Sequence, residues 1–282
     1  MKQILLPTDF SENSWNAILT AIKLYAWMEC KFYLLHAYEP STQNIAGFKS
    51  SARAGAVYQS LPEASKNQLA EVKKYLDEHH FNPKHTFETI SVSGDLIKAI
   101  HQCISRYDVD VLVMGTKGST AAKQIFMGSW TVKVLKNIKN CTLIAVPSSF
   151  DFQKLNLVVF PTEYTHYVPK NVLRPLLELI DAWKSEVMIF HVAQEFMLSE
   201  TQQSNKEILK KRFKKHPTSV HQVTIETTVA EAIRSFSEEQ TADMIALTAH
   251  SHDFFEKLTQ EPVVKKVTFR TKVPLMVLPD FG

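Results

Sequence analysis

Cysteine is scarce in this chain, with three in 282 residues. Cys30, Cys103 and Cys141 are odd in number and widely spaced, which excludes a disulfide framework and leaves no pair at zinc-ligand spacing. Buried, reduced thiols suit a cytoplasmic protein, and that is the expectation. Long apolar runs are missing too. No stretch approaches the ~18 consecutive apolar residues of a membrane helix, and the chain enters a strand directly rather than through a charged and then apolar leader. No membrane partner is expected. Nor does one sign of charge dominate: 32 basic against 29 acidic side chains leave a net +3, too little for a nucleic-acid footprint. The Walker A, G-x-S-x-G and H-E-x-x-H patterns are all lacking. No catalytic constellation is visible, and the protein is not expected to be an enzyme.

What remains is a chain of ordinary globular composition, 45% hydrophobic and 22% charged, long enough for one large or two ordinary domains. Its small positive excess lies in residues 1–150, with 16 basic and 12 acidic side chains, whereas residues 151–282 carry 16 and 17.

Glycine is also rare, and its distribution is informative. Three of the seven glycines are Gly115, Gly118 and Gly128. They follow the nearly unbroken apolar run Val109 to Met114, which reads as a parallel strand covered on both faces. Ser129 comes directly after the third glycine and opens a helix, Trp130 to Lys139, before a closing strand, Thr142 to Val146. Glycine permits positive φ and close backbone approach to a ligand, and a helix start offers unpaired N–H groups with partial positive charge. With Lys117, Lys123 and Lys133 nearby, a polyphosphate would fit. The alternative is that Gly115 ends a strand, Gly118 makes a turn and Gly128 caps a helix, with no ligand involved.

Around this stretch, strand and helix alternate strictly. Lys2 to Leu6 is a short buried strand ended by Pro7. Ser11 is an N-cap for a helix reaching about Met28, with Trp15, Ile18, Leu19, Ile22 and Ala26 inward. Phe32 to Ala37 is a second strand. Tyr38 to Leu61 lacks a period and is expected to be a long loop or broken helix, followed by a helix from Glu63 to about His80. His85 to Val92 alternates like a strand, and Gly94-Asp95 caps a helix carrying Ile97, Ile100, Cys103 and Ile104. The pattern predicts a parallel sheet wound on both sides. In such sheets ligands bind beyond the carboxyl ends of strands, where Asp9, Ala37 and Gly115 all fall.

The second half repeats the first. Val158 to Tyr164 echoes Ile4 to Phe10, Ile189 to Val192 echoes Leu34 to Ala37, Asp243 to Thr248 echoes Asp110 to Gly115, and Leu275 to Pro279 echoes Leu143 to Pro147. The expected domains are residues 1–148 and 149–282. The connection Ser148 to Lys154 spans at most about 25 Å, so the two must touch. At the glycine positions the copies part: Thr248 stands for Gly115, Ser251 for Gly118, Glu261 for Gly128 and Pro262 for Ser129. A carboxylate repels phosphate and a proline removes an amide. Glu163 also replaces Asp9. One polyphosphate site is expected, in the first half.

Other features read as structural. His250-Ser251-His252-Asp253 is an exposed loop rather than a metal site. His36 and His191 are equivalent packing positions. The run Lys210, Lys211, Arg212, Lys214 and Lys215 is a solvated helix face, and Pro175 predicts a kink or late start in its helix.

Ile4-Leu5-Leu6-Pro7-Thr8-Asp9-Phe10-Ser11 and Gly115-Thr116-Lys117-Gly118 … Gly128-Ser129 together resemble the universal stress protein family. The resemblance covers the first half closely and the second loosely. It implies an α/β fold of two tandem Rossmann-like domains of the adenine nucleotide alpha hydrolase-like type, each with a mostly parallel five-stranded sheet and helices on both faces. It implies ATP as the cofactor, with Mg2+ allowed beside the phosphates, in a stress-response sensor or regulator. Asp9 and the Ala37 backbone would recognise adenosine. Gly115, Thr116, Gly118, Gly128, Ser129 and Thr131 would hold ribose and phosphates with charge from Lys117, and Pro7, Thr8, Met114 and Trp130 would complete the pocket. Ser119-Thr120-Ala121 departs from the family wording, where a basic residue often stands. Relatives pair through their last strands, so the resemblance implies such a pair within this chain and leaves a homodimer open. A nucleotide-independent interaction module and a slow ATPase are the alternatives.

Overall fold

Ten strands of four to nine residues line up here side by side in one sheet. The computed structural model describes residues 1–39, 51–116, 129–193, 197–224, 228–249 and 271–279. In the first half the order is β1 (Lys2–Pro7), α1 (Glu12–Leu24), β2 (Cys30–Tyr38), α2 (Ser51–His79), β3 (His85–Ser93), α3 (Leu96–Tyr107), β4 (Val111–Gly115), α4 (Ser129–Asn137) and β5 (Thr142–Val146). The second half has β6 (Leu157–Thr162), α5 (Lys170–Trp183), β7 (Glu186–Ala193), α6 (Glu200–Phe213), β8 (Thr218–Thr224), α7 (Val229–Glu239), β9 (Met244–Thr248) and β10 (Leu275–Leu278).

The strand order is β3-β2-β1-β4-β5-β10-β9-β6-β7-β8. Neighbours within each half are parallel, as strands joined through helices require. At the centre β5 and β10 run antiparallel, with Leu275 opposite Ala145 and Val277 opposite Leu143. Because side chains alternate along a strand, each strand feeds two cores. Ile4, Leu6, Phe32, Leu34, Val111 and Val113 pack with α1, α2, α5 and α6 on one face. Leu5, Leu35, Leu112, Met114, Leu143 and Ala145 pack with α3, α4 and α7 on the other.

The repeat is visible atom by atom. The Asp110 carboxylate accepts from Gln3 N at 2.9 Å, and Asp243 accepts from Leu157 N at 2.9 Å. Phe10 and Tyr164 both take a left-handed backbone, φ 61° and 56°, just past β1 and β6. Side chains also tie the halves together. Asn16 donates to Pro147 O and Phe150 O, Trp183 Nε1 donates to Leu24 O at 2.8 Å, and Lys2 pairs with Glu178.

Several helix limits differ from the sequence reading. α2 runs Ser51–His79, so 51–61 belongs to one continuous helix rather than to a loop or a broken helix, and Pro62 lies inside it. Residues 40–50 lie outside the described residues. α1 stops at Leu24, four residues short of Met28, where Tyr25 N bonds back to Ala21 O and Lys23 O. α5 shows no late start: it begins at Lys170, with Pro175 in its interior. Asp95 caps α3 as expected, its carboxylate accepting from Lys98 N, after Gly94 at φ 132°.

Candidate functional site

The β1–β4 ladder has two pairs, Ile4 with Val111 and Leu5 with Leu112, as the β6–β9 ladder has Val158 with Met244 and Val159 with Ile245. Between β1 and β4 the strand order reverses, since β1 also pairs with β2 on its other side through Pro7 and Leu35. A crevice at the carboxyl ends of strands is the ligand position this sheet topology provides. Continuing the two registers puts Ala37, Asp9 and Thr116 on one level across β2, β1 and β4, a span of about 10 Å at the usual strand spacing.

The turn after β1 is built by short polar side chains. Thr8 Oγ1 accepts from Phe10 N at 3.0 Å and meets Ser14 Oγ at 3.0 Å. Asp9 Oδ1 accepts from Ser11 N at 3.1 Å and Ser11 Oγ at 2.5 Å, and Ser11 Oγ caps α1 by accepting from Ser14 N. Asp9 itself is exposed. The chain therefore turns from β1 into α1 with the exposed Asp9 carboxylate just past the carboxyl end of β1 and fixed to the helix cap.

Gly115 closes β4. A Cβ there would lie 2.2 Å from Asn13 Nδ2 and 2.8 Å from Asn13 O, so the residue is glycine because the first turn of α1 presses onto it. Positive φ is not the reason: among the described residues the one positive-φ glycine is Gly94. Thr116 N continues the β5 ladder to Val146 O at 2.9 Å, and the buried Thr131 hydroxyl donates to Gly115 O at 3.0 Å. That bond fastens the start of α4 to the end of β4. α4 opens at Ser129 with no acidic residue in its first turn, and half-exposed Trp130 lies under Lys133, whose Nζ is 4.5 Å from the ring centre.

Thus Pro7, Thr8, Asp9, Ala37, Met114, Gly115, Thr116, Ser129, Trp130 and Thr131 fall at or beside the strand ends that border the crevice, with Met114 buried in the core below it. Lys117, Gly118 and Gly128 lie outside the described residues, as do His250 to Asp253, Glu261 and Pro262. Sequence reasoning missed Asn13, the contact that makes Gly115 obligatory.

His36, near the end of β2, packs against Phe10 with ring centres 4.5 Å apart and the rings tilted by 58°, and its Nδ1 meets Ser65 Oγ at 2.8 Å. Ser65 Oγ in turn meets Ser91 Oγ at 2.7 Å. Burial pushes the His36 pKa down, against the opposing pull of the Asp9 charge. In the second half His191 stacks on Tyr164 at 4.8 Å, and its Nδ1–H donates to Thr162 O at 3.0 Å. Burial lowers its pKa as well. The matching roles support the packing reading for both. Here the turn after β6 is already covered by protein: Gln202 Nε2 donates to Glu163 O at 3.0 Å and Asn205 Nδ2 to Tyr164 O at 2.9 Å, both from α6. Of the basic run, Lys210 and Lys211 on α6 and Lys214 and Lys215 just past it are exposed, whereas Arg212 is half-buried and donates to Tyr167 OH at 2.8 Å, and Phe213 points inward.

The sequence pattern of the Universal stress protein family matches residues 1–147 and 168–279. The chain belongs to the universal stress protein family. Two curated universal stress proteins of Methanocaldococcus jannaschii are similar to it. One is 29% identical over 156 residues, covering 51% of this chain and 93% of its own length; the other is 26% identical over 145 residues, covering 51% and 81%. Each relative thus corresponds to about half of this universal stress protein. A solved universal stress protein from Archaeoglobus fulgidus shares the fold across both halves, with a TM-score of 0.66 over 98% of this chain and 96% of that one at 19% identity. Among the described residues no helix is long and apolar enough to cross a membrane.

Proposed function

We propose that this universal stress protein binds an adenine nucleotide, ATP, in the crevice between β1 and β4 of its first half, and works as a binding regulator rather than as a catalyst. The observation that carries the proposal is the Thr131 hydroxyl bond to Gly115 O, which holds the start of α4 against the end of β4, beside the Asp9 turn where the strand order reverses between β1 and β4. The residues present suit such a ligand. Asp9 is an exposed acceptor for hydroxyl or amino groups of an adenosine, the Ala37 backbone sits on the same level, and α4 begins without an acid to repel phosphate. A micromolar ligand corresponds to about 8 kcal/mol, within reach of backbone amides plus a base pocket and without any rate acceleration. The second half is proposed to be structural or regulatory, forming an internal counterpart to the first through β5 and β10 in a cytoplasmic protein.

The test is calorimetric titration with Mg-ATP and with ATP alone, alongside phosphate release. Saturable binding by the full chain, abolished by Gly128→Glu and unaltered by Glu261→Gly, is the expected result. Unchanged affinity in Gly128→Glu would show the site to be elsewhere. Absence of any binding would favour the interaction module, and phosphate release well above the Gly128→Glu background would favour the ATPase.

A further inference from the structure

Among the described strands the ten-stranded sheet ends in β3 and β8, and these two edges are not alike. Open strand edges in monomers are commonly guarded by charges, proline or a bulge, because unpaired N–H and C=O groups recruit another strand. β3 carries Glu88 in mid-strand, ion-paired to Lys31 at 2.7 Å. β8 reads Thr-Ser-Val-His-Gln-Val-Thr, with neither a charged residue nor a proline. Its ladder to β7 runs unbroken from Val187 with Thr218 to Ala193 with Thr224, so no bulge twists the edge away. Val220 and Val223 are 39% and 41% exposed. Three residues apart on a strand, they point to opposite faces.

We propose that the outer edge of β8 is a self-association surface that pairs antiparallel with β8 of a second copy of this chain about a twofold axis. A twofold contact sets the same strand against itself, so any charged side chain near the axis would meet its own kind, which is unfavourable for directly opposed residues. β8 has none, whereas β3 would bring Glu88 towards Glu88. The valines lie one on each face, so an added strand would shield apolar surface on both. The charges that flank β8 select the orientation. Lys214 and Lys215 are exposed just before its start. Antiparallel pairing centred on His221 puts the two lysine clusters at opposite ends of the strand pair, while parallel pairing would set them side by side. The surface lies at the far end of the sheet from the first-half crevice and does not depend on the nucleotide reading.

Sedimentation velocity on the full chain, from low to several hundred micromolar, tests this. The expected result is a reversible passage from the 32.2 kDa monomer to a dimer that grows no further. Val220→Lys and Val223→Lys should each weaken the dimer by roughly tenfold or more, since a lysine at an edge opposes strand addition. Their melting temperatures should stay near wild type, because both positions are half-exposed. Phe81→Lys, at a 78% exposed aromatic site outside β8, should leave the dimer intact. A monomer at every concentration, open-ended polymers, or a dimer indifferent to both valine substitutions would each overturn the proposal.

Discussion

Gly115 and Asn13 are in contact across 102 residues of sequence, with no room at the glycine for even a methyl group: a Cβ would meet Asn13 Nδ2 at 2.2 Å and Asn13 O at 2.8 Å. The side-chain amide could swing aside, but the backbone oxygen moves only with α1. Gly115→Ala should therefore displace the first turn of that helix, at a cost of about 1–3 kcal/mol for overpacking. A melting temperature several degrees lower, together with weaker nucleotide binding, is the expected outcome. Adding Asn13→Ala should recover only part of the loss, because the oxygen remains. Full recovery in the double variant would mean that the backbone contact is unimportant.

Trp130 reports on the same site. It is 42% exposed in the first turn of α4, with Lys133 over its ring. An anionic ligand near that helix start should draw on Lys133 and alter the environment of the indole. Titration with ATP should change tryptophan emission in step with calorimetric binding. Trp130→Phe should remove most of the change, although Trp15, Trp27 and Trp183 remain. A full signal in that variant would place the ligand near another tryptophan.

The sheet, the duplication and most strand ends could be read in the sequence because parallel strands buried on both faces appear as unbroken apolar runs, and four such runs recur in order. The start of α2 could not. Ser51 to Ser60 holds small residues and Gly55, which show no apolar stripe, and Pro62 imitates a helix break although the helix continues through it. Glycine composition suggested a ligand loop at Gly115, where the deciding factor is a distant helix residue. Only the folded chain brings Asn13 to it. The Asp9–Ser11 cap was half legible: Ser11 was recognisable as an N-cap, but the carboxylate that holds it was assigned to the ligand alone.

Acid should loosen the fold earlier than its carboxylates alone would dictate. Burial lowers the pKa values of His36, His85 and His191 below the ordinary histidine value. Unfolded histidines bind a proton near pH 6.5 while these folded ones resist it, so the unfolded chain holds more protons just below that pH. Their contribution is complete above about pH 6.5 and is lost as pH falls from there towards the lowered folded values. Melting temperature should decline from pH 7 to pH 5.5. His191→Leu should lower stability at pH 7 and flatten that decline, since its Nδ1–H bond to Thr162 O goes together with its titration. An unchanged slope would assign the acid sensitivity to the other two histidines.

The junction between the halves yields the last prediction. All five residues of β5 are buried, and its outer edge is occupied by β10 alone among the described strands. Expressed without the second half, residues 1–148 would present a fully apolar strand with unpaired amides and carbonyls, a surface that associates readily. Antiparallel pairing is already how this edge is satisfied, with Ile144 opposite Met276. A second β5 can take the place of β10 about a twofold axis, because Thr-Leu-Ile-Ala-Val has no charge to oppose its own copy. The isolated half should therefore be a dimer by light scattering at concentrations where the full chain still shows monomer. Ile144→Lys should yield insoluble or unfolded material, since that side chain is fully buried. The more telling variant is truncation at Cys141, which deletes β5 and transfers the open edge to β4. A soluble monomer from residues 1–148 would mean that β5 does not require a partner strand, and that β10 stabilises the full chain through its cores rather than through the ladder.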